Sequence, residues 1–133
     1  MRLEFKNKLI LHNGNVNSIV INDHLKVYVT GGDDGLINII DIFSYKRIKT
    51  IKIQESINSV DIMVYPYYIV FVCTENGQKC YSINGQLISK EKLDIISTPV
   101  VFKEMGFKNR VLVRVGEEIL FIKLPSFEIL YRY

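Results

Sequence analysis

Tryptophan is absent from the 133 residues, and cysteine, histidine and proline are scarce, at two, two and three. Two cysteines cannot staple a disulfide-rich secreted scaffold, and without a matching histidine pair they do not make a zinc site. No apolar run is long enough to span a bilayer. The longest stretch free of charged residues and histidine, Ile62 to Thr74, contains Pro66 and falls well short of the ~20 residues a spanning helix needs. Met1 is followed by Arg2, Glu4, Lys6 and Lys8 with no apolar core, so no secretory signal is expected and the predicted location is cytoplasmic. Charge of one sign is not concentrated either. Residues 1–52 carry 8 basic and 5 acidic side chains, 53–92 carry 3 and 4, and 93–133 carry 6 and 5. The densest cluster is Lys46, Arg47, Lys49 and Lys52. On an extended strand it points to both faces and reads as a solvated outer edge rather than a phosphate patch. Neither nucleic-acid binding nor membrane insertion is expected.

The two cysteines have one possible geometry. A two-residue turn at Asn76 and Gly77 would pair Glu75 with Gln78 and set Cys73 directly across from Cys80, with Cα atoms about 5.5 Å apart. A bridge is conceivable there, whereas a cytoplasmic location favours two reduced thiols.

What is present is a β-rich globular chain, 48% hydrophobic and 23% charged. No segment shows helical periodicity over three turns. Strands are predicted at Val16 to Ile21, Leu25 to Thr30, Leu36 to Ile42 and Arg47 to Ile53, with turns at Asn13 to Asn15, Asn22 to His24 and Gly31 to Gly35. The pattern then recurs. Ser56 to Ile62 (SINSVDI) matches Asn15 to Ile21 (NVNSIVI) at an offset of 41, and Gly77 follows Gly35 at 42. A weaker third copy has strands at Ile95 to Phe102, Arg110 to Val115, Glu118 to Leu124 and Phe127 to Tyr133 around Gly116. Tyr67 to Cys73 and Val111 to Val115 are apolar on both faces or nearly so, and both faces must therefore be covered. Sheets stacked radially around a channel satisfy that demand. The fold class expected is all-β, a β-propeller of about three four-stranded antiparallel blades that form part of a larger ring. A β-sandwich is the alternative, but it requires no repeat near 40 residues.

His12, Val16, Ser18, the run Val29 to Gly35 (VTGGDDG) and Ile39-Ile40-Asp41 resemble the WD-repeat family in order and spacing. The resemblance divides the chain into an outer strand of a preceding blade at 1–11 and blades at 12–53, 54–93 and 94–133. It implies a hydrogen-bonded network in which a histidine before the first strand and an aspartate in the tight turn are joined by a hydroxyl residue and a tryptophan. His12 and Asp34 match. Gly32 stands at the hydroxyl position and Ile40 at the tryptophan position, which leaves a bond from His12 to Asp34 as the expected remnant. The structural residues are thus His12, Asp34, Gly35, Asp41 and Gly77. Within the family, Cys80 to Ile88 (CYSINGQLI) resembles a repeat of the C-terminal propeller of BEACH-domain proteins, the beige and neurobeachin group. That resemblance implies a trafficking scaffold, peripheral to endomembranes.

No catalytic, metal or cofactor residues are assigned. His12 with Asp34 has the form of a general-base pair, yet no nucleophile sits at a readable position beside it. Asp33, Asp34 and Asn76 lack calcium-loop spacing and read as turn formers. Glu117 and Glu118 are adjacent on a strand and point to opposite faces. Gly31 and Gly32 complete no phosphate-cradling motif. The expected function is a non-catalytic scaffold that binds protein partners through propeller loops. The resemblance implies that Asn13, Asn15, Asp33 and Asn76 lie on one face, and Tyr65 and Tyr67 on the other. The alternatives are a hydrolase on a propeller and a self-assembling β-domain. Propellers close with 4 to 8 blades, so three leave apolar faces open. Half a dozen such side chains, at roughly 1.5 to 3 kcal/mol each, rival the ~5 to 15 kcal/mol stability of a domain. Further blades, associating copies, or a third copy that folds back irregularly to cover a face are therefore expected.

Overall fold

A computed structural model of the chain describes residues 11–64, 68–95, 99–101 and 109–133. The first sheet contains β1 (Val16–Asn22), β2 (Val27–Gly32), β3 (Leu36–Asp41) and β4 (Arg47–Lys52), hydrogen-bonded in that order. The second contains β5 (Ile57–Met63), β6 (Ile69–Thr74), β7 (Gly77–Ser82) and β8 (Leu87–Glu91), and the third β9 (Val100–Val101), β10 (Arg110–Val115), β11 (Glu118–Lys123) and β12 (Glu128–Arg132), each again in chain order. All pairings are antiparallel. These three sheets are blades 1, 2 and 3 below. The outer strand expected at 1–11 lies almost wholly outside the described residues.

Irregularities repeat as faithfully as strands do. The register shifts between Val16 and Ser18 in β1 and between Ile57 and Ser59 in β5. It shifts again between the third and fourth strands of every blade, after Ile39, Cys80 and Phe121. A bulge bends its strand, so a bend inherited at a constant spacing of 41 residues marks one unit used three times.

The core lies between sheets. Val27, Val29, Ile37, Ile39, Ile51 and Ile53 of blade 1 meet Ile57, Val60, Ile62, Val70, Val72 and Tyr81 of blade 2. Ile69, Phe71, Cys73 and Cys80 on the other face of blade 2 meet Val111, Val113, Leu120 and Ile122 of blade 3. Successive side chains of β6 therefore feed different cores, and all six of its residues are buried. That accounts for the unbroken apolar run at Ile69 to Cys73. Strand β10 departs from the expectation of two covered faces. Val111 and Val113 are buried, but Leu112 is half-buried and Arg114 is exposed.

The turn between β6 and β7 also departs from expectation. Glu75 and Asn76 form it, with Thr74 opposite Gly77, so Cys73 faces Gln78 and Cys80 faces Phe71. Thr74 fixes this choice: its hydroxyl donates to the Gly77 carbonyl at 3.2 Å and accepts from the Asn76 N–H at 3.2 Å. Gly77, at φ 130°, opens the next strand instead of closing the turn. Both cysteines are free and buried. Burial pushes the Cys73 thiol up to about 11 and the Cys80 thiol up to about 12.

Candidate interaction surface

The hairpins joining the two middle strands of blades 1 and 2 are held from beneath by the loop that precedes each blade. In blade 1 the anchor is His12, whose side chain is fully buried. Its Nδ1 lies 2.9 Å from Asp34 Oδ1 and its Nε2 lies 2.8 Å from Thr30 Oγ1. Asp34 can only accept, so Nδ1 carries a proton and donates to it, while Nε2 shares a hydrogen bond with the Thr30 hydroxyl. Asn38 Nδ2 donates to the Leu11 carbonyl at 2.7 Å, and Thr50 Oγ1 donates to Asn38 Oδ1 at 2.9 Å. Asp34 Oδ2 accepts the Asn13 N–H at 2.9 Å, and Oδ1 accepts that of Leu36 at 3.1 Å. Burial opposes the charge on Asp34, but the bonds from His12, Asn13 and Leu36 outweigh it and hold the carboxyl below its ordinary range.

This network corrects the expected positions. The hydroxyl comes from Thr30, not from position 32, because a Cβ on Gly32 would sit 2.7 Å from both His12 Nδ1 and the Asn15 carbonyl. Gly32 is the floor on which the imidazole rests. The polar partner on β3 is Asn38, two residues before Ile40 and on the same face. Ile40 is 1% exposed.

In blade 2 a carboxylate does this work. Glu55 accepts from Lys79 Nζ at 2.6 Å through Oε1 and from Asn76 Nδ2 at 2.8 Å through Oε2, and its Oε1 lies 3.1 Å from Thr74 Oγ1, whose single proton is shared with the Gly77 carbonyl. The Lys79 bond is the largest of the influences that hold Glu55 below its ordinary value, and Glu55 in turn raises Lys79. No histidine precedes β5, so a search for the family's histidine passes over this anchor. Its signal was position: Glu55 stands two residues before β5, in the same loop as the anchor of blade 1.

The surface above these anchors is polar. Asn13, Asn15, Asp33 and Asn76 are all exposed. Asp33 accepts from Asn17 Nδ2 at 2.6 Å and Ser56 Oγ at 3.0 Å, and its N–H reaches the Asn15 carbonyl at 3.0 Å. The structure thus brings Asn13, Asn15, Asp33 and Asp34 together, and places Asn76 in the neighbouring hairpin. Gly35, at φ 74°, completes the first hairpin, with the Glu55 backbone only 3.0 Å from where a Cβ would lie. Asp41 lies at the other end of β3, where it accepts the N–H groups of Phe43 at 2.7 Å and Ser44 at 2.9 Å. Tyr65 and Tyr67 lie outside the described residues. Among the described residues, no group of three His, Cys, Asp or Glu could hold a metal ion.

Comparison with solved structures defines the architecture. The β-propeller domain of Cps50 (Swd1) from Myceliophteria thermophila superimposes with a TM-score of 0.74 at 12% identity, over 96% of this chain and 44% of that one. KlHsv2 with its loop 6CD replaced by a Gly-Ser linker gives 0.68 at 12%, over 91% and 40%. The computationally designed Ika8 protein gives 0.63 at 18%, over 92% and 37%. The fold is therefore a run of three β-propeller blades, and the chain spans less than half the length of each of these structures. No protein-family model and no curated protein matches the sequence.

Proposed function

We propose that the chain is a non-catalytic interaction scaffold of WD-repeat type that engages a protein partner through the loops of its hairpin end. The observation that carries this reading is the pairing of exposed polar side chains at Asn13, Asn15, Asp33 and Asn76 with buried anchors beneath them. Exposed loops on a rigid support are the usual form of a binding surface. Both ring nitrogens of His12 are engaged and the ring is buried, which argues against its use as a general base in the alternative hydrolase.

A photo-crosslinking side chain at Asn13 or Asn76, introduced into the protein in its own cells, tests the proposal. Discrete protein adducts from both positions, and none from Lys90 on the outer strand, are expected. Absence of adducts from both loop positions would overturn it. The narrower trafficking role rests on the resemblance of Cys80 to Ile88 to the beige and neurobeachin group, a segment that runs from β7 through the turn into β8. It predicts that the protein is cytoplasmic and co-fractionates with endomembranes in a salt-extractable form. An exclusively soluble distribution would remove that part alone.

A further inference from the structure

The repeat allows each blade's faces to be compared position by position. On the inner strand of blade 2, Ile57, Val60 and Ile62 are 0%, 3% and 0% exposed, because blade 1 covers them. Forty-one residues earlier, the same positions of blade 1 hold Val16, Ile19 and Ile21, which are 51%, 65% and 53% exposed. The opposite end of the stack shows the complementary deficit. Phe71, Gln78 and Cys80 of blade 2 are buried against blade 3 or its loop. Their counterparts in blade 3 are Leu112, Ile119 and Phe121, half-buried or exposed, and continued outward by Tyr131 at 61% and Tyr133 at 75%. Phe121 lies between Leu112 and Tyr131 in the ladder, and Ile119 exchanges backbone bonds of 2.9 and 3.0 Å with Tyr133, so these side chains share one face.

The molecule therefore already contains two copies of one interface, between blades 1 and 2 and between blades 2 and 3, and its ends are the two unmatched halves of a third. We propose that a second copy of this chain supplies the match: the free face of blade 3 packs head to tail on the free face of blade 1 of its partner, twice around a two-fold axis. Six blades result, within the 4 to 8 at which propellers close. Continuity with the interfaces inside the chain selects this arrangement. Arg110 and Arg114 stand on the same face as Leu112, where blade 2 has Ile69 and Cys73, so a pairing of blade 3 with blade 3 would bring four arginines together where the head-to-tail contact brings two. The inner-strand face of blade 1 at Val16, Ile19 and Ile21 carries no charge. A head-to-tail contact forms a closed ring when the rotation completes it and an open filament when it does not.

Light scattering on the purified chain across a concentration series tests the proposal. A discrete species of about twice the 15.4 kDa chain mass is expected. Ile19→Lys and Ile119→Lys each alter one half of the contact, and each alone should give a monomer. Their equimolar mixture should recover the two-chain mass, because a mixed pair retains one unaltered interface. Circular dichroism of each variant separates loss of association from loss of folding, and the exposure of both positions makes folding the expected result. A monomeric parent chain, a mass that grows without limit, or a dimer sensitive to Ile119→Lys but not to Ile19→Lys would each overturn the proposal.

Discussion

Blades 1 and 2 hold the same hairpin in the same place with opposite chemistry. In blade 1 an imidazole in the preceding loop, itself fully buried, reaches up to a carboxylate in the turn. In blade 2 the carboxylate is in the loop, and a lysine, a hydroxyl and an amide come down to it, partly open to water. The geometry of a tether is thus preserved while its donors and acceptors exchange ends. What the architecture requires is a short, saturated polar link under each hairpin, not a particular residue at either end. The difference lies in the environment. A buried ring with both nitrogens satisfied is costly to disturb, whereas an ion pair within reach of solvent is worth less.

The comparison can be broken at four places, in descending order of effect. His12→Ala leaves Asp34, Thr30 and Asn38 without their shared partner in a buried site and should lower stability by about 3 to 5 kcal/mol, read as a fall in the denaturation midpoint. A loss below about 1 kcal/mol would mean that water replaces the ring at no penalty. Gly77→Ala forces a side chain into φ 130° with its Cβ 2.6 Å from the Glu91 carbonyl, and about 2 to 3 kcal/mol is expected in the same measurement. Lys79→Met removes only one of the three donors to Glu55 and should cost about 1 to 2 kcal/mol. If it matched His12→Ala, the proposed contrast between the two tethers would fail.

The smallest effect is in the acid limb. Glu55 titrates below its ordinary 4.5 in the folded chain. Its contribution is therefore complete above that value and is lost as the pH falls through the lower folded value. Asp34 adds a loss of the same sign, below its ordinary 3.8. Glu55→Gln should flatten the first part of this decline in a pH series of thermal melts and leave stability near neutral pH only slightly reduced. An unchanged acid limb would show that Glu55 carries no linkage. The thiols provide a control away from both tethers: with Cys73 raised to about 11 and Cys80 to about 12, neither should react with iodoacetamide at pH 8 before the chain unfolds.

The strand pattern was legible because it depends on residues whose roles are set by burial alone. The apolar run through β6 announces a sheet covered twice, and the recurrence of Val16, Ile19 and Ile21 as Ile57, Val60 and Ile62 announces the repeat. Register and partnership were less legible because they turn on single atoms. Asn76-Gly77 is a good two-residue turn by composition, but the hydroxyl of Thr74 stabilises a turn one residue earlier. That shift moves the pairing by two positions, so Cys73 and Cys80 keep a common face while no longer standing opposite each other. Similarly, Thr30 and Gly32 share a face of β2, and the His12 ring together with the Asn15 carbonyl decides which of them carries the hydroxyl. Glu55 had no motif to identify it.

The stretch from Ile53 to Ser56 links two blades through every one of its polar contacts. The Ile53 N–H binds the Gly35 carbonyl at 2.8 Å and Ser56 binds Asp33 behind it, while Glu55 holds Thr74, Asn76 and Lys79 ahead. The seam of the molecule therefore does not fall between its sheets. A chain reopened at 54–55, as in a circular permutant, would dismantle two hairpins at once. New termini at 23–26, where the exposed Asp23–Lys26 pair and the Asn22 side chain bridge the turn, would leave both intact. A module suited to copying or transplanting begins and ends inside a sheet, and its natural length is the spacing from one hairpin to the next.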